Sequence, residues 1–291
     1  MAIQWYPGHM QKARKKIKES MPLIDIVIEV LDARIPYSSK NPLVDELRGD
    51  RPCIILLNKS DLADPITTKA WQQHYERERG VRAIAMVAEK KGEAKNLVQK
   101  ISQVAKTMLG NRNLEKTPAR VMIMGIPNVG KSTLMNGLLG RTLAKVGNEP
   151  AVTKVQQSTH LANGVLLYDT PGMLWPKVED EDSGYRLAVT GAIKNTAMEF
   201  EDVALYAASY FLKYYPELIQ TRYKLKQLPE DDISLLEEIG RRRGALRPGG
   251  HIDIHKASEL LIGEFRNGVI GRISLETPEM VATKKATLSR A

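Results

Sequence analysis

At 291 residues and 43% hydrophobic content, the chain can bury one large core or two moderate ones. Its 43 Lys plus Arg against 34 Asp plus Glu leave a net charge of +9, which points toward a polyanion such as nucleic acid or a membrane surface. The single cysteine, Cys53, excludes an intramolecular disulfide and a cysteine-based zinc site, and no apolar run approaches the roughly 18 residues of a membrane span. The start, MAIQWYPGHM and then basic residues, has no signal-peptide core, so a cytoplasmic protein is expected.

The first twenty residues turn at Pro7-Gly8 before His9 and enter a helix-forming stretch where Lys12, Arg14, Lys15, Lys16 and Lys18 are opposed by Glu19 alone. This is either a solvated amphipathic helix or one that contacts phosphates. Residues 24–31 (IDIVIEVL) read as a buried parallel strand ending in Asp32-Ala33-Arg34. Residues 42–48 suggest a short helix. Residues 53–57 form a second buried strand that runs into Asn58-Lys59-Ser60-Asp61. A helix over 65–79 opens on Pro65, a third strand covers 81–87, and the helix at 92–109 carries Leu97, Ile101, Val104 and Leu109 at core spacing. After a polar link come a strand at 121–124, the loop GIPNVGKS (125–132) and a helix to Leu139.

Residues 140–157 are irregular and include Pro150 and Thr153. Strands at 157–162 and 165–168 suggest a hairpin turning at Asn163-Gly164, and the second ends in Asp169-Thr170-Pro171-Gly172. Strands alternating with helices predict an α/β domain with a largely parallel sheet over residues 1–178. From Ser183 to residue 283 the strand pattern stops, and helices are expected at 185–193, 200–214, 217–226, 231–242 and 253–268, a smaller all-α domain. Residues 284–291 read as a short basic tail.

Three loops follow strands, where ligands bind in open α/β sheets. The spacing GxxxxGK[ST] at 125–132 is that of a phosphate loop. Glycines at 125 and 130 let backbone N–H groups close around an anion, and the following helix adds partial positive charge. Lys131 would reach the β- and γ-phosphates, with Asn128, Val129, Gly130 and Thr133 completing the cradle, and the Ser132 hydroxyl would ligate Mg²⁺. Asp169 would hold Mg²⁺ through water, Thr153 would close over it in the triphosphate state, and the Gly172 N–H would meet the γ-phosphate.

NKSD fits N-K-x-D, a guanine reader. The Asp61 carboxylate can accept from guanine N1–H and N2–H₂, which adenine does not offer, while Asn58 holds the base edge and Lys59 lies across the ring. Together the loops predict a GTPase using GTP and GDP. Its order is unusual, because N-K-x-D precedes the phosphate loop, as in a circularly permuted P-loop GTPase domain. The second switch loop would then lead straight into the helical domain.

With WYPGHM, LDARIPYSSKNP, NKSD, GIPNVGKS, VTKVQQ, DTPG and IGRISLE in that succession, the chain resembles the ribosome-biogenesis GTPase A family of circularly permuted bacterial GTPases. The resemblance implies an assembly factor that binds the pre-50S particle late in large-subunit maturation. It implies a C-terminal domain on ribosomal RNA, no membrane partner, and a monomer off the ribosome. It suggests His9 as the group orienting the attacking water, since Met173 stands where many GTPases carry glutamine; His9 could instead cap the basic helix or touch RNA. It also suggests Asn128 as a K⁺ ligand.

The sequence departs from the family in two places: Ala151 stands where glycine is frequent, and Val87-Ala88-Glu89 replaces an S-A-K-like loop, leaving the Ala88 N–H to meet guanine O6. Lys12, Arg14, Lys15, Lys16, Arg241, Arg242, Arg243 and Arg247 are candidate RNA contacts or simply solvated faces. Two other classes compete: a signalling switch with protein or membrane effectors, and a GTP-locked RNA-binding module whose hydrolysis is incidental.

Overall fold

The computed structural model describes residues 3–4, 8–90, 92–110, 112–139, 158–161, 164–170, 177–178, 180–193 and 199–288. Its centre is a six-stranded sheet built from β2 (Ile26–Asp32), β3 (Cys53–Asn58), β4 (Val81–Ala85), β5 (Ala119–Met124), β6 (Ser158–Leu161) and β7 (Val165–Asp169), in the order β4-β3-β2-β5-β7-β6. Every pairing is parallel except β6 with β7. A two-residue ribbon, β1 (Ile3–Gln4) against β8 (Lys177–Val178), lies apart from it.

The strands are apolar on both sides because both faces are covered. Along β2, Ile26, Ile28 and Val30 face one core while Val27 and Leu31 face the other side. Helices α1 (Gly8–Ser20), α2 (Pro42–Arg48), α3 (Pro65–Glu76), α4 (Glu93–Leu109) and α5 (Lys131–Leu139) flank the sheet. Asn41 and Asp64 start α2 and α3 by accepting from Leu43 N and Thr67 N, each just before a proline.

Beyond β8 the described residues form six helices and one short bridge, Leu246 to Ile252: α6 (Glu181–Thr190), α7 (Phe200–Tyr214), α8 (Pro216–Tyr223), α9 (Asp232–Arg243), α10 (Ile254–Arg266) and α11 (Pro278–Leu288). One apolar cluster runs from the sheet face at Ile28, Ile54 and Ile123 into Leu187, Phe211, Ile239, Leu261 and Phe265 of these helices. The opposite face packs Trp71 and Tyr75 of α3 with Val281 of α11.

Four features differ from the sequence reading. The first helix begins at Gly8, so His9 sits in its opening turn rather than in a loop; its side chain lies outside the described residues. Helix α8 stops at Tyr223 because Lys224 takes a left-handed conformation. Residues 284–288 of the expected tail belong to α11, where Lys284 pairs with Asp180 and Asp182 of the segment opening α6. The β1–β8 ribbon was not legible, since two-residue strands carry no periodicity.

Candidate nucleotide-binding site

Parallel register fixes which loops meet. Asp32 pairs with Asn58 at the end of β2 and β3, Glu29 pairs with Met124 on β5, and Ile123 with Asp169 on β7. The N-K-S-D loop, the phosphate loop and Asp169 therefore emerge from one edge of the sheet, as the strand endings predict.

The phosphate loop needs unusual backbone angles. Gly125 has φ +149°, Asn128 +60° and Gly130 +98°. A Cβ on Gly125 would stand 2.6 Å from the Val30 carbonyl oxygen, and one on Gly130 would collide with Asn58 Nδ2. Only glycine lets the loop approach β2 and the N-K-S-D loop this closely.

Asn58, 2% exposed, ties the loops together. Its Nδ2 donates to Val129 O at 2.7 Å, and its Oδ1 accepts from Ala88 N at 2.9 Å. Asn58 is therefore an inter-loop brace, and the Ala88 N–H offered to guanine O6 is engaged by Asn58. Lys59, at φ +59°, donates its ammonium to Asn128 O at 2.8 Å and pairs with Asp32 at 3.1 Å. Asp61 lines a cavity of about 860 Å³ together with Asn58, Lys59, Ala88, Gly130 and Thr133.

Lys131 opens α5 and donates to Ile126 O at 2.7 Å. Burial brings its pKa down to about 8, against the pull of the Asp169 charge. A phosphate in the loop would favour its charged form. Ser132 and Thr133 follow in the first helical turn, half-buried. Among the described residues no group of three or more His, Cys, Asp or Glu gathers as a metal cage. A hydroxyl from Ser132 and the carboxylate of Asp169 fit Mg²⁺, which takes few protein oxygens and fills its shell with phosphate and water. Thr153, Gly172 and Met173 lie outside the described residues.

Sequence reasoning missed the far wall. Gly191 at the end of α6, and Gly263, Arg266 and Asn267 at the end of α10, border the same cavity. Asn128 Nδ2 donates to Gly191 O at 2.8 Å, so the phosphate loop bonds directly to the helical part. Arg266 donates to Ala188 O and Val189 O at 2.7 and 2.9 Å, satisfying carbonyls at the end of α6. No spacing in the sequence signals these contacts, because they depend on how α6 and α10 dock.

All five arginines read as RNA contacts are paired. Arg241 meets Glu237 and Glu238, Arg242 meets Glu238, Arg243 meets Glu264, Arg247 meets Asp253 and Arg14 meets Glu46. Lys15 and Lys16 are exposed on α1, and the Lys12 side chain lies outside the described residues. Apart from Arg243, whose partner Glu264 is buried and also held by Arg222, these pairs face solvent, so an arriving phosphate can displace the carboxylate at small cost.

A phosphate loop braced against a second polar loop at one sheet edge is the arrangement of a nucleotide-binding site. The family profile described as 50S ribosome-binding GTPase matches residues 120–228. Ribosome biogenesis GTPase A of Priestia megaterium is 46% identical over 282 residues, 96% of this chain and 98% of that protein. The chain belongs to the ribosome biogenesis GTPase A family. It is a GTPase, binding GTP and GDP on a circularly permuted P-loop domain. Among solved structures, GDP-bound TM YlqF superposes with a TM-score of 0.66 at 31% identity, covering 91% of this chain and 99% of that one. GNP-bound YlqF from T. maritima gives 0.65 at 32% identity, over 92% and 99%.

Proposed function

We propose that this family member is a cytoplasmic, GTP-driven assembly factor acting late in maturation of the large (50S) ribosomal subunit, and that it binds ribosomal RNA and leaves the particle according to its nucleotide state. The reading rests on one observation: a phosphate loop hydrogen-bonded both to a guanine-type loop through Asn58 and to the helical part through Asn128. A change at the phosphates then reaches the helices without an intermediary. The names of the relatives and the net charge of +9 support a ribosomal partner. No described helix is long and apolar enough to cross a membrane.

In this proposal Lys131, with the backbone of Asn128, Val129, Gly130, Ser132 and Thr133 and the Gly172 N–H, takes the phosphates. Asp61 reads guanine, Lys59 lies on its face, and Ala88 borders its edge. Ser132, Thr153 and Asp169 would hold Mg²⁺, whose charge would stabilise the leaving phosphate oxygens. Residues 1–178 form the nucleotide domain and the helices from 183 through α11 the RNA-binding helical domain, and the protein is a monomer off the ribosome. His9 orients the water that Met173 cannot hold, and Asn128 serves K⁺.

GTP turnover measured with and without large ribosomal subunits tests the reading. Strong stimulation is expected, and His9→Ala should retain GTP binding while losing most of it; replacing K⁺ by Na⁺ should slow turnover. Association without stimulation would favour the GTP-locked binding module, and no association at all would favour a signalling switch.

A further inference from the structure

The segment Asp32-Ala33-Arg34 has no part in the phosphate or guanine motifs, yet it carries a buried cluster of charge. Arg34 is 1% exposed and grips Asp32 with both arms of its fork, Nε to Oδ1 at 2.9 Å and Nη2 to Oδ2 at 2.7 Å. Its backbone N–H also donates to Oδ1, at 3.1 Å. The same carboxylate faces Lys59, whose ammonium is 3.1 Å away. Burial works to raise the Asp32 pKa, but the charges of Arg34 and Lys59 outweigh it and hold the carboxyl well below the usual carboxylate range.

A buried ion pair is weak evidence for stability, since an apolar pair of similar volume would serve a core as well. The cluster calls for another role, and its position supplies one. Lys59 sits at φ +59°, a conformation costly for a side chain with a Cβ, and the Ala33 N–H donates to Asn58 O at 2.8 Å beside it. Two oxygens hold its ammonium, Asn128 O and Asp32 Oδ2. Without Arg34, Asp32 would be a buried carboxylate with one cation, and it would draw Lys59 off Asn128. With both carboxylate oxygens already engaged by Arg34, Lys59 is shared between the two acceptors and stays on the cavity wall.

Arg34 is itself held from the helical side. Its carbonyl accepts from Leu275 N at 2.8 Å, and its guanidinium carbon stands 5.1 Å from the centroid of the Phe265 ring on α10. Its Nη1, although buried, has no hydrogen-bond partner among the described residues. Arg34 also lines the cavity that Lys59 and Asp61 border.

We propose that Arg34 is a positioning residue for guanine binding: by clamping Asp32 it fixes Lys59 against the phosphate loop, where the purine ring is to lie on the lysine stem. The inference rests on the proposed reading of N-K-S-D as the guanine loop.

The test is GDP titration of the full chain carrying Arg34→Lys or Asp32→Asn, each alone and in a Lys59→Met background, with nucleotide-free melting curves selecting the variants that fold. Arg34→Lys keeps the charge and loses the fork, and Asp32→Asn keeps the shape and loses the charge. Each is expected to weaken GDP binding about tenfold alone and less than about twofold when Lys59 is already methionine. Equal losses in both backgrounds, or no loss in the parent, would overturn the inference and leave the guanine-loop reading standing. If Lys59→Met alone left GDP affinity unchanged, the guanine-loop reading would fall and this inference with it.

Discussion

Replacing Asn58 by alanine is the most direct perturbation of the joint between the two loops. The side chain makes two buried hydrogen bonds, to Val129 O at 2.7 Å and from Ala88 N at 2.9 Å. Each is worth about 1 kcal/mol net, and truncation also strands one buried acceptor and one buried donor. The total comes to about 3 kcal/mol, large against the marginal stability of a folded chain. Urea unfolding of the nucleotide-free protein reads this loss, and GDP titration should fall by more than about tenfold because the loops are no longer held in register. Asn58→Asp provides a matched control: the acceptor for Ala88 N remains, but a carboxylate oxygen now opposes Val129 O, so it should fare no better than alanine. An alanine variant within about 0.5 kcal/mol of the parent, with unchanged GDP affinity, would refute the brace.

Three further outcomes follow from the same geometry. Glu29 is fully buried on β2, and burial outweighs Lys40 and the Asn41 N–H to raise its pKa from 4.5 to about 7. Between those values the folded chain keeps a proton that the unfolded chain has lost, so the contribution is intact below about pH 4.5 and is lost as pH rises toward 7; by linkage it amounts to about 3 kcal/mol. Glu29→Gln should flatten that part of the stability–pH curve, and an unchanged slope in pH-dependent urea melts would contradict it. Gly130→Ala combines φ +98° with a collision at Asn58 Nδ2 and should cost about 2 kcal/mol or more, together with nucleotide binding, read by melting and GDP titration. Asp61→Asn exchanges an acceptor for a donor, so GDP affinity should drop about 100-fold while the xanthine nucleotide, with an oxygen at C2, gains; equal losses for both would remove Asp61 from base reading.

The sequence alone determined the elements that obey local rules. The apolar runs at 24–31 and 53–57 became parallel strands because both of their faces are covered, and Pro65 marked a helix start. The fixed offsets within GIPNVGKS marked the phosphate loop and those of NKSD pointed to a guanine reader, and parallel register then obliged both to leave the same sheet edge. Tertiary structure decided what those loops touch. Asn58 as a brace, Asn128 on Gly191, Arg34 on Phe265, and the cavity wall from α10 depend on groups separated by tens to hundreds of residues. Helix α11 escaped notice for a related reason: its basic residues read as solvent-facing, whereas Val281 enters the core and Lys284 finds Asp180 and Asp182 only once the chain has returned across the sheet. Periodicity and motif spacing record the backbone's local needs, while helix docking and long-range contacts are settled by distances that no stretch of the chain contains by itself.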